Sequence, residues 1–121
     1  MIDKLDPKVK DICEVLYNKK AQDIVAIPVG EKTIVADWFI ICSGSVPNQV
    51  RMLCDELEEK AKETGLEIIR KEGYDAGKWI VLDYGDILVH IFQQDERQYY
   101  NMEHLWDTDD SAVWYSKEMG D

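Results

Sequence analysis

Several features that commonly identify a protein class are missing from this sequence. Its cysteines, Cys13, Cys42 and Cys54, lie far apart and form no Cys-x-x-Cys pair, so neither a disulfide framework nor a cysteine-based zinc site is indicated. No apolar run approaches the length of a membrane span, and the charged residues near the start argue against a secretory signal. We therefore expect a cytoplasmic protein whose cysteines are small buried hydrophobic residues.

Basic residues are also scarce. The chain carries 14 Lys and Arg against 25 Asp and Glu, a formal net charge of -11. Phosphate backbones are bound where protein cations replace counterions, so we expect no direct contact with nucleic acid. A basic protein surface matches this charge better, although the excess of acids from Asp95 onward is also typical of a plain solvated face.

The residues that support catalysis do not form a recognisable pattern. Phosphate-binding loops need spaced glycines followed by a Lys and a Ser or Thr, and the sequence has no such motif. Ser43-Gly-Ser, at a predicted strand-to-helix turn, is similar to the opening of nucleotidyltransferase sites. The next predicted strand, 66–70, lacks the alternating pair of carboxylates that would hold the metal in such a site. A plain helix cap is the simpler interpretation of the serines.

Two further groups of polar residues have structural interpretations. Asp83 and Asp86 flank a tight turn with few other oxygen ligands nearby, which predicts a turn stabilised by Asp side chains rather than a calcium site. His90 lies in the middle of a predicted strand, on the parity of its apolar neighbours, which indicates a packed, hydrogen-bonded histidine. Because His104 is the second of only 2 histidines, we expect no histidine metal cluster, and we expect no cofactor.

The hydrophobic pattern predicts a single α/β domain over residues 1–121. The predicted elements, in chain order, are a helix from Asp6-Pro7, strands at 23–30 and 34–42, a long helix from Val46 to Gly65, a strand at 66–70, a hairpin of 79–82 and 87–92, and a helix at 95–106. Strand pairs on either side of a long helix give a mixed β-sheet flanked by helices. The continuous apolar strands indicate that at least part of this sheet is covered on both faces.

The final third of the chain combines aromatic rings with acids. Rings offer large contact areas at low entropic cost, and neighbouring carboxylates pair with Lys or Arg on a partner, so this composition suits a protein interface. The alternative is that the rings belong to the core, and for Trp79 and Trp106 the sequence supports both interpretations equally. The residues concerned are Trp79, Tyr84, Tyr99, Tyr100 and Trp106 among the rings, and Asp83, Asp86, Asp95, Glu96 and Glu103 among the acids.

At this point the motifs resemble a known family, the ribosomal silencing factors, also called Iojap proteins. The resemblance is carried by Asp37-Trp-Phe-Ile-Ile-Cys-Ser-Gly, Gln49-Val-Arg, Glu72-Gly-Tyr, the whole stretch 79–92 and the closing stretch 96–106, in that order and spacing. It covers about residues 8–107, so that 108–121 is a C-terminal extension whose residues Val113-Trp-Tyr either pack on the domain or form a second contact.

The resemblance implies a nucleotidyltransferase-like fold without its catalytic residues, and a function that is not enzymatic. Such a factor is expected to bind the large ribosomal subunit through ribosomal protein fourteen and to block joining of the small subunit sterically. Translation is then repressed when nutrients are scarce or during subunit maturation. By position, the partner-binding residues would be Trp79, Asp83, Tyr84 and Asp86 of the hairpin, together with Tyr100 and Trp106. The resemblance also allows a homodimer when the protein is free.

Two other function classes stay open at the level of sequence. A nucleotide-using enzyme of the parent fold would bind a nucleotide together with Mg²⁺. A dimeric adaptor would use the same aromatic and acidic surface for a different protein partner. Fold alone does not choose among these classes.

Overall fold

The computed structural model describes residues 5–115 of the chain. These residues form four helices and one six-stranded sheet, which confirms the predicted mixed α/β class. The elements in chain order are α1 (Pro7–Asn18), β1 (Gln22–Pro28), β2 (Trp38–Gly44), α2 (Pro47–Glu63), β3 (Arg70–Glu72), β4 (Trp79–Asp83), β5 (Ile87–Gln93), α3 (Gln94–Tyr100), α4 (Met102–Trp106) and β6 (Val113–Trp114).

The strand order across the sheet is β3-β4-β5-β2-β1-β6. The central strands β2 and β5 are parallel, with Phe39 opposite Leu88, and every other neighbouring pair is antiparallel. The connection between the two parallel strands runs through α2 and the hairpin strand β4. Among the described helices, none is both long and apolar enough to cross a membrane.

Helices α1 and α2 both begin at a proline, but they are capped differently. Asp6 accepts a hydrogen bond from the Lys8 backbone N–H at 2.8 Å, as the sequence predicts. The predicted serine cap of α2 is wrong: the N-cap position is Val46, whose side chain makes no capping bond. Instead the side chain of Gln49 reaches back, and its Oε1 accepts from the Ser45 N–H at 2.7 Å.

The two faces of the sheet are covered unequally. The helix face, which carries Ile40, Val89 and Ile91, packs against the apolar stripes of α1 and α2. The second face carries Phe39 and Phe92, and it is covered in part by the short helices α3 and α4 and by loop residues. Strands β2 and β5 are therefore buried on both faces, as their continuous apolar sequences predict.

Three predicted boundaries are wrong. Ile34 and Val35 do not begin a strand; they lie in the loop before β2, and Ile34 is fully exposed. The strand predicted at 66–70 begins only at Arg70, although the Ile69 N–H still bonds the Asp83 carbonyl oxygen at 2.7 Å. The single helix predicted over 95–106 is two helices, because Asn101 adopts a left-handed conformation (φ 47°) that ends α3 and redirects α4 toward the sheet.

Gly73, in the loop that leads into β4, is fixed by two independent constraints. Its φ is +83°, and a Cβ at this position would collide with the backbone carbonyl oxygen of Trp79. Gly65, at the end of α2, has an almost identical φ of +84° but has open space where a Cβ would be. A substitution at Gly65 therefore measures the cost of backbone strain alone, and the same substitution at Gly73 measures strain together with the collision.

We expect Gly65→Ala to lower the free energy of unfolding by about 1 kcal/mol, the cost of a left-handed alanine. Gly73→Ala should lower it by about 3 kcal/mol or more, because the collision adds to that strain and displaces the start of β4. Urea unfolding followed by circular dichroism measures both. Equal losses in the two variants would show that the contact with Trp79 is not a constraint.

Candidate functional site

The hairpin β4–β5 sends its side chains alternately to the two faces of the sheet. Trp79, Val81 and Asp83 share the parity of the second face, where Trp79 and Val81 pack, whereas Ile80, Leu82 and Tyr84 pack into the core below α1 and α2. This alternation divides the predicted site residues. Trp79 belongs to the second face, and Tyr84 is 7% exposed within the helix-side core.

Trp79 is held on the second face by three contacts. Its ring stacks on Phe92 with centroids 4.8 Å apart, and Tyr100 of α3 lies at the same centroid distance on a tilted plane. Its Nε1–H donates to His90 Nδ1 at 3.1 Å, which confirms the predicted hydrogen-bonded histidine. One part of the indole remains exposed, so Trp79 belongs to the core and to the surface at once.

Ring contacts continue from Trp79 in both directions and form what we call the aromatic row. On one side Tyr100 contacts Tyr99 edge to face at 5.0 Å. On the other side His90 contacts Phe39 at 5.1 Å, and Phe39 contacts Trp106 of α4 at 5.0 Å. The row comprises Tyr99, Tyr100, Trp79, His90, Phe39 and Trp106.

Exposure varies strongly along the aromatic row. Tyr99 is 80% and Tyr100 47% exposed, Trp79 and Trp106 are partly buried, and Phe39 and His90 are buried beneath them. Leu105, 67% exposed on α4, adds an aliphatic side chain to this side of the protein. The row thus has a buried middle that fixes its geometry and one exposed end, Tyr99 and Tyr100, that can contact a partner.

The acids predicted for the site occupy two different places. Asp83 has the parity of Trp79, and its Oδ1 accepts from the Gly85 N–H at 2.8 Å, which confirms the predicted Asp-stabilised turn. Asp86 lies nearer α1, where its Oδ2 is 3.6 Å from Lys8 Nζ. Of the six predicted site residues, the structure therefore brings together Trp79, Tyr100 and Trp106 in one row of rings; Asp83 shares the sheet face of that row.

Arg97 organises this region, and its role was not predicted from the sequence. It is 6% exposed; its Nη1–H donates to Ser43 Oγ at 2.8 Å, and its Nε–H donates to Glu103 Oε2 at 3.0 Å. These bonds connect α3 to the end of β2 and to the start of α4. An arginine surrounded by acids in the final segment was the available signal, but its partner Ser43 is distant in sequence.

Lys32 has a similar role on the other side of the aromatic row. Its Nζ donates to the Trp106 carbonyl oxygen at 2.8 Å and to Asp109 Oδ1 at 2.9 Å. A hydrogen bond from Ser111, and then the hydrogen bond and charge of the Lys32 ammonium, hold the pKa of the Asp109 carboxyl well below its usual range. The loop between β1 and β2 therefore fixes the end of α4, on which Trp106 lies.

Comparison with known proteins identifies the family. The family model described as "Ribosomal silencing factor during starvation" matches residues 2–119. The chain belongs to the ribosomal silencing factor family. The match continues through most of the segment after residue 107, part of which forms β6 against β1.

Individual relatives agree with this assignment. Ribosomal silencing factor RsfS of Halalkalibacterium halodurans is 45% identical over 89 residues, which are 74% of this chain and 76% of that protein. A crystal structure of a protein from Chromobacterium violaceum superimposes with a TM-score of 0.78 at 30% identity, and the match covers 84% of this chain and 87% of that one. A mouse protein named "Mitochondrial assembly of ribosomal large subunit protein 1" is 26% identical over 98 residues, 78% of this chain and 43% of its own.

His90 gives this protein a testable pH dependence. Burial lowers the pKa of His90 to about 4, against roughly 6.5 in an unfolded chain. Between these two values the unfolded chain binds a proton that the folded chain does not, so the free energy of unfolding falls as the pH falls through this window. The contribution from His90 amounts to about 3 kcal/mol at most.

We expect His90→Gln to remove a large part of the stability loss between pH 6.5 and pH 4, because glutamine does not titrate there. His104→Gln is the matched control, since His104 is exposed on α4. Urea unfolding at several pH values gives both profiles. An unchanged pH slope in His90→Gln would mean that His90 is not the buried neutral group described above.

Proposed function

We propose that this protein binds the large ribosomal subunit through ribosomal protein fourteen and sterically blocks joining of the small subunit. It would act in the cytoplasm, repressing translation when nutrients are limited and taking part in subunit maturation. Family membership supports a role in silencing the ribosome during starvation. The name of the mouse relative, which refers to assembly of the large subunit, supports that subunit as the target.

The aromatic row is the observation that carries this proposal. Trp79, which is partly buried, is held by Phe92 and His90. The more exposed Tyr100 packs against Trp79, and Tyr99 contacts Tyr100. These contacts order the rings before a partner arrives. Ordered rings bind at lower entropic cost than mobile side chains, and Trp and Tyr are the residue types that most often dominate protein interfaces.

The charges around the row indicate the kind of partner. Asp83, Asp95 and Glu96 lie on or next to the elements that carry the row, and within residues 5–115 none of them forms an ion pair. Unpaired carboxylates beside rings suit a partner rich in Lys and Arg, as ribosomal proteins are. The net charge of -11 would speed the encounter with such a surface and disfavour ribosomal RNA.

A steric mechanism requires only a stable complex at the correct place. The bound protein occupies volume at the face where the small subunit must dock, and no chemical bond has to form or break. The affinity for the large subunit then determines the fraction of subunits that are blocked. This is a proposal of binding function, in contrast to the enzymatic alternative of the parent fold.

The direct test is the joining of purified ribosomal subunits, followed by light scattering. We expect saturating amounts of this protein to reduce the amplitude of 70S formation when it is incubated first with large subunits. Sedimentation with separated subunits should place it with the large subunit alone. Undiminished joining at saturation would refute the proposed mechanism.

The position of the contact is tested with two aromatic variants. Trp79→Ala should weaken binding to the large subunit about 30-fold or more, the effect of losing a central interface residue worth roughly 2 kcal/mol. Tyr17→Ala is the control, because Tyr17 is 37% exposed and lies on α1, which covers the opposite face of the sheet. Circular dichroism verifies folding of both variants. Equal weakening by both substitutions would contradict this placement of the contact.

A further inference from the structure

Helix α2 carries three potential metal ligands on the side of the sheet away from the aromatic row. Cys54, Asp55 and Glu58 each offer one ligand atom, and these atoms all lie within 4.8 Å of one another. Glu58 lies four positions after Cys54 and three positions after Asp55, and both spacings bring side chains together on the surface of a helix.

The three side chains are already held by neighbours. The Cys54 thiol donates to Glu58 Oε1 at 3.5 Å, and Lys71 Nζ donates to the same oxygen at 3.0 Å. The Tyr74 hydroxyl donates to Asp55 Oδ2 at 3.0 Å. Sulfur and oxygen ligands of a tetrahedral zinc ion lie about 3.5 Å apart, the separation already found between Cys54 and Glu58.

The buried hydroxyl of Tyr84 is an independent indication of a ligand beside Asp55 and Glu58. Its side chain is 7% exposed, and within the described chain its hydroxyl finds no hydrogen-bond partner. It forms part of the wall of an open cavity of about 790 Å³, together with Asp55 and Glu58. A buried donor without an acceptor costs about 1 to 3 kcal/mol, which a ligand in the cavity would recover.

We propose that Cys54, Asp55 and Glu58 form a binding site for a divalent ion of the zinc type. Three protein ligands leave a fourth tetrahedral position for water, and the Tyr84 hydroxyl would donate a hydrogen bond to that water. Tyr74 would orient the Asp55 carboxylate from outside the site. The mixture of one thiolate with carboxylates favours zinc-type ions over Ca²⁺ or Mg²⁺, which prefer oxygen ligands alone.

Binding requires two exchanges. As the metal–sulfur bond forms, the Cys54 thiol loses its proton to the buffer, since the thiolate is the ligand. The Lys71 ammonium must leave Glu58, whose oxygen then binds the ion. Lys71 therefore competes with the metal for Glu58, and we expect Lys71→Ala to raise the affinity for the metal. If the three residues served only the structure of α2, this substitution would not raise metal affinity.

The test is a titration of the full chain with Cd²⁺ and Zn²⁺ in the absence of other ligands. Cd²⁺ reports directly on the sulfur bond, because a thiolate–Cd²⁺ bond gives an ultraviolet charge-transfer band. Zn²⁺ should raise the thermal unfolding midpoint of the same protein. Glu58→Gln should weaken the affinity for both ions at least about tenfold, since even residues that only hydrogen-bond to metal ligands contribute that much to metal affinity. Glu63→Gln, an exposed position on the same helix, should leave both unchanged.

Two further variants complete the test. Cys54→Ala should abolish the charge-transfer band; should it fail to fold, Glu58→Gln decides the question, because Glu58 is only partly buried. Tyr84→Phe should weaken metal binding about tenfold while leaving the metal-free protein as stable or more stable. The proposal would be overturned if the unmodified chain gave no band with Cd²⁺, or if Glu58→Gln bound Cd²⁺ as tightly as the unmodified chain.

Discussion

The parallel pairing of β2 with β5 is the constraint on which the rest of this structure depends. Both strands are apolar along their whole length, so both faces of the sheet need cover. Two helices of 12 and 17 residues cover one face. The other receives helices of only 7 and 5 residues, and aromatic side chains supply much of the remaining cover. Rings that must cover a sheet without a large helix above them are necessarily near solvent, which is what an interface requires.

The Trp79–His90 hydrogen bond turns this incomplete cover into a defined surface. Because Nε1 of Trp79 donates to Nδ1 of His90, the imidazole proton lies on Nε2, and both rings have fixed orientations. His90 is buried and neutral, so it contributes ring contacts to Phe39 without adding charge. An alanine or leucine at position 90 would leave the indole N–H of Trp79 without its acceptor. The histidine is therefore best understood as a support for the tryptophan rather than as a group that reacts.

The sequence predicted the fold class, the hairpin and the start of α1, because each depends on short-range patterns such as Asp6-Pro7 or the turn at Gly85. It failed where long-range contacts decide the structure. Ile34 and Val35 favour a strand by composition, but β2 pairs with β1 only from Trp38, opposite Pro28. The break at Asn101 and the burial of Arg97 both depend on partners in β2 and the sheet. Trp79 was left between core and interface for the same reason; its indole packs on the second-face core and is partly exposed, and its role in an interface stays a prediction.

The alternation along the β4–β5 hairpin also explains how one hairpin lies beside both proposed sites. Trp79 on the second face and Tyr84 on the helix face differ by an odd number of positions, so the same register that exposes the indole buries the phenol hydroxyl beside α2. A slip of one residue would exchange the faces and remove both sites at once. A side-chain substitution at Trp79 or at Tyr84 affects only its own face, because the sheet lies between the two side chains. The proposed ribosome contact and the proposed metal site can therefore be tested independently, and neither proposal supports the other.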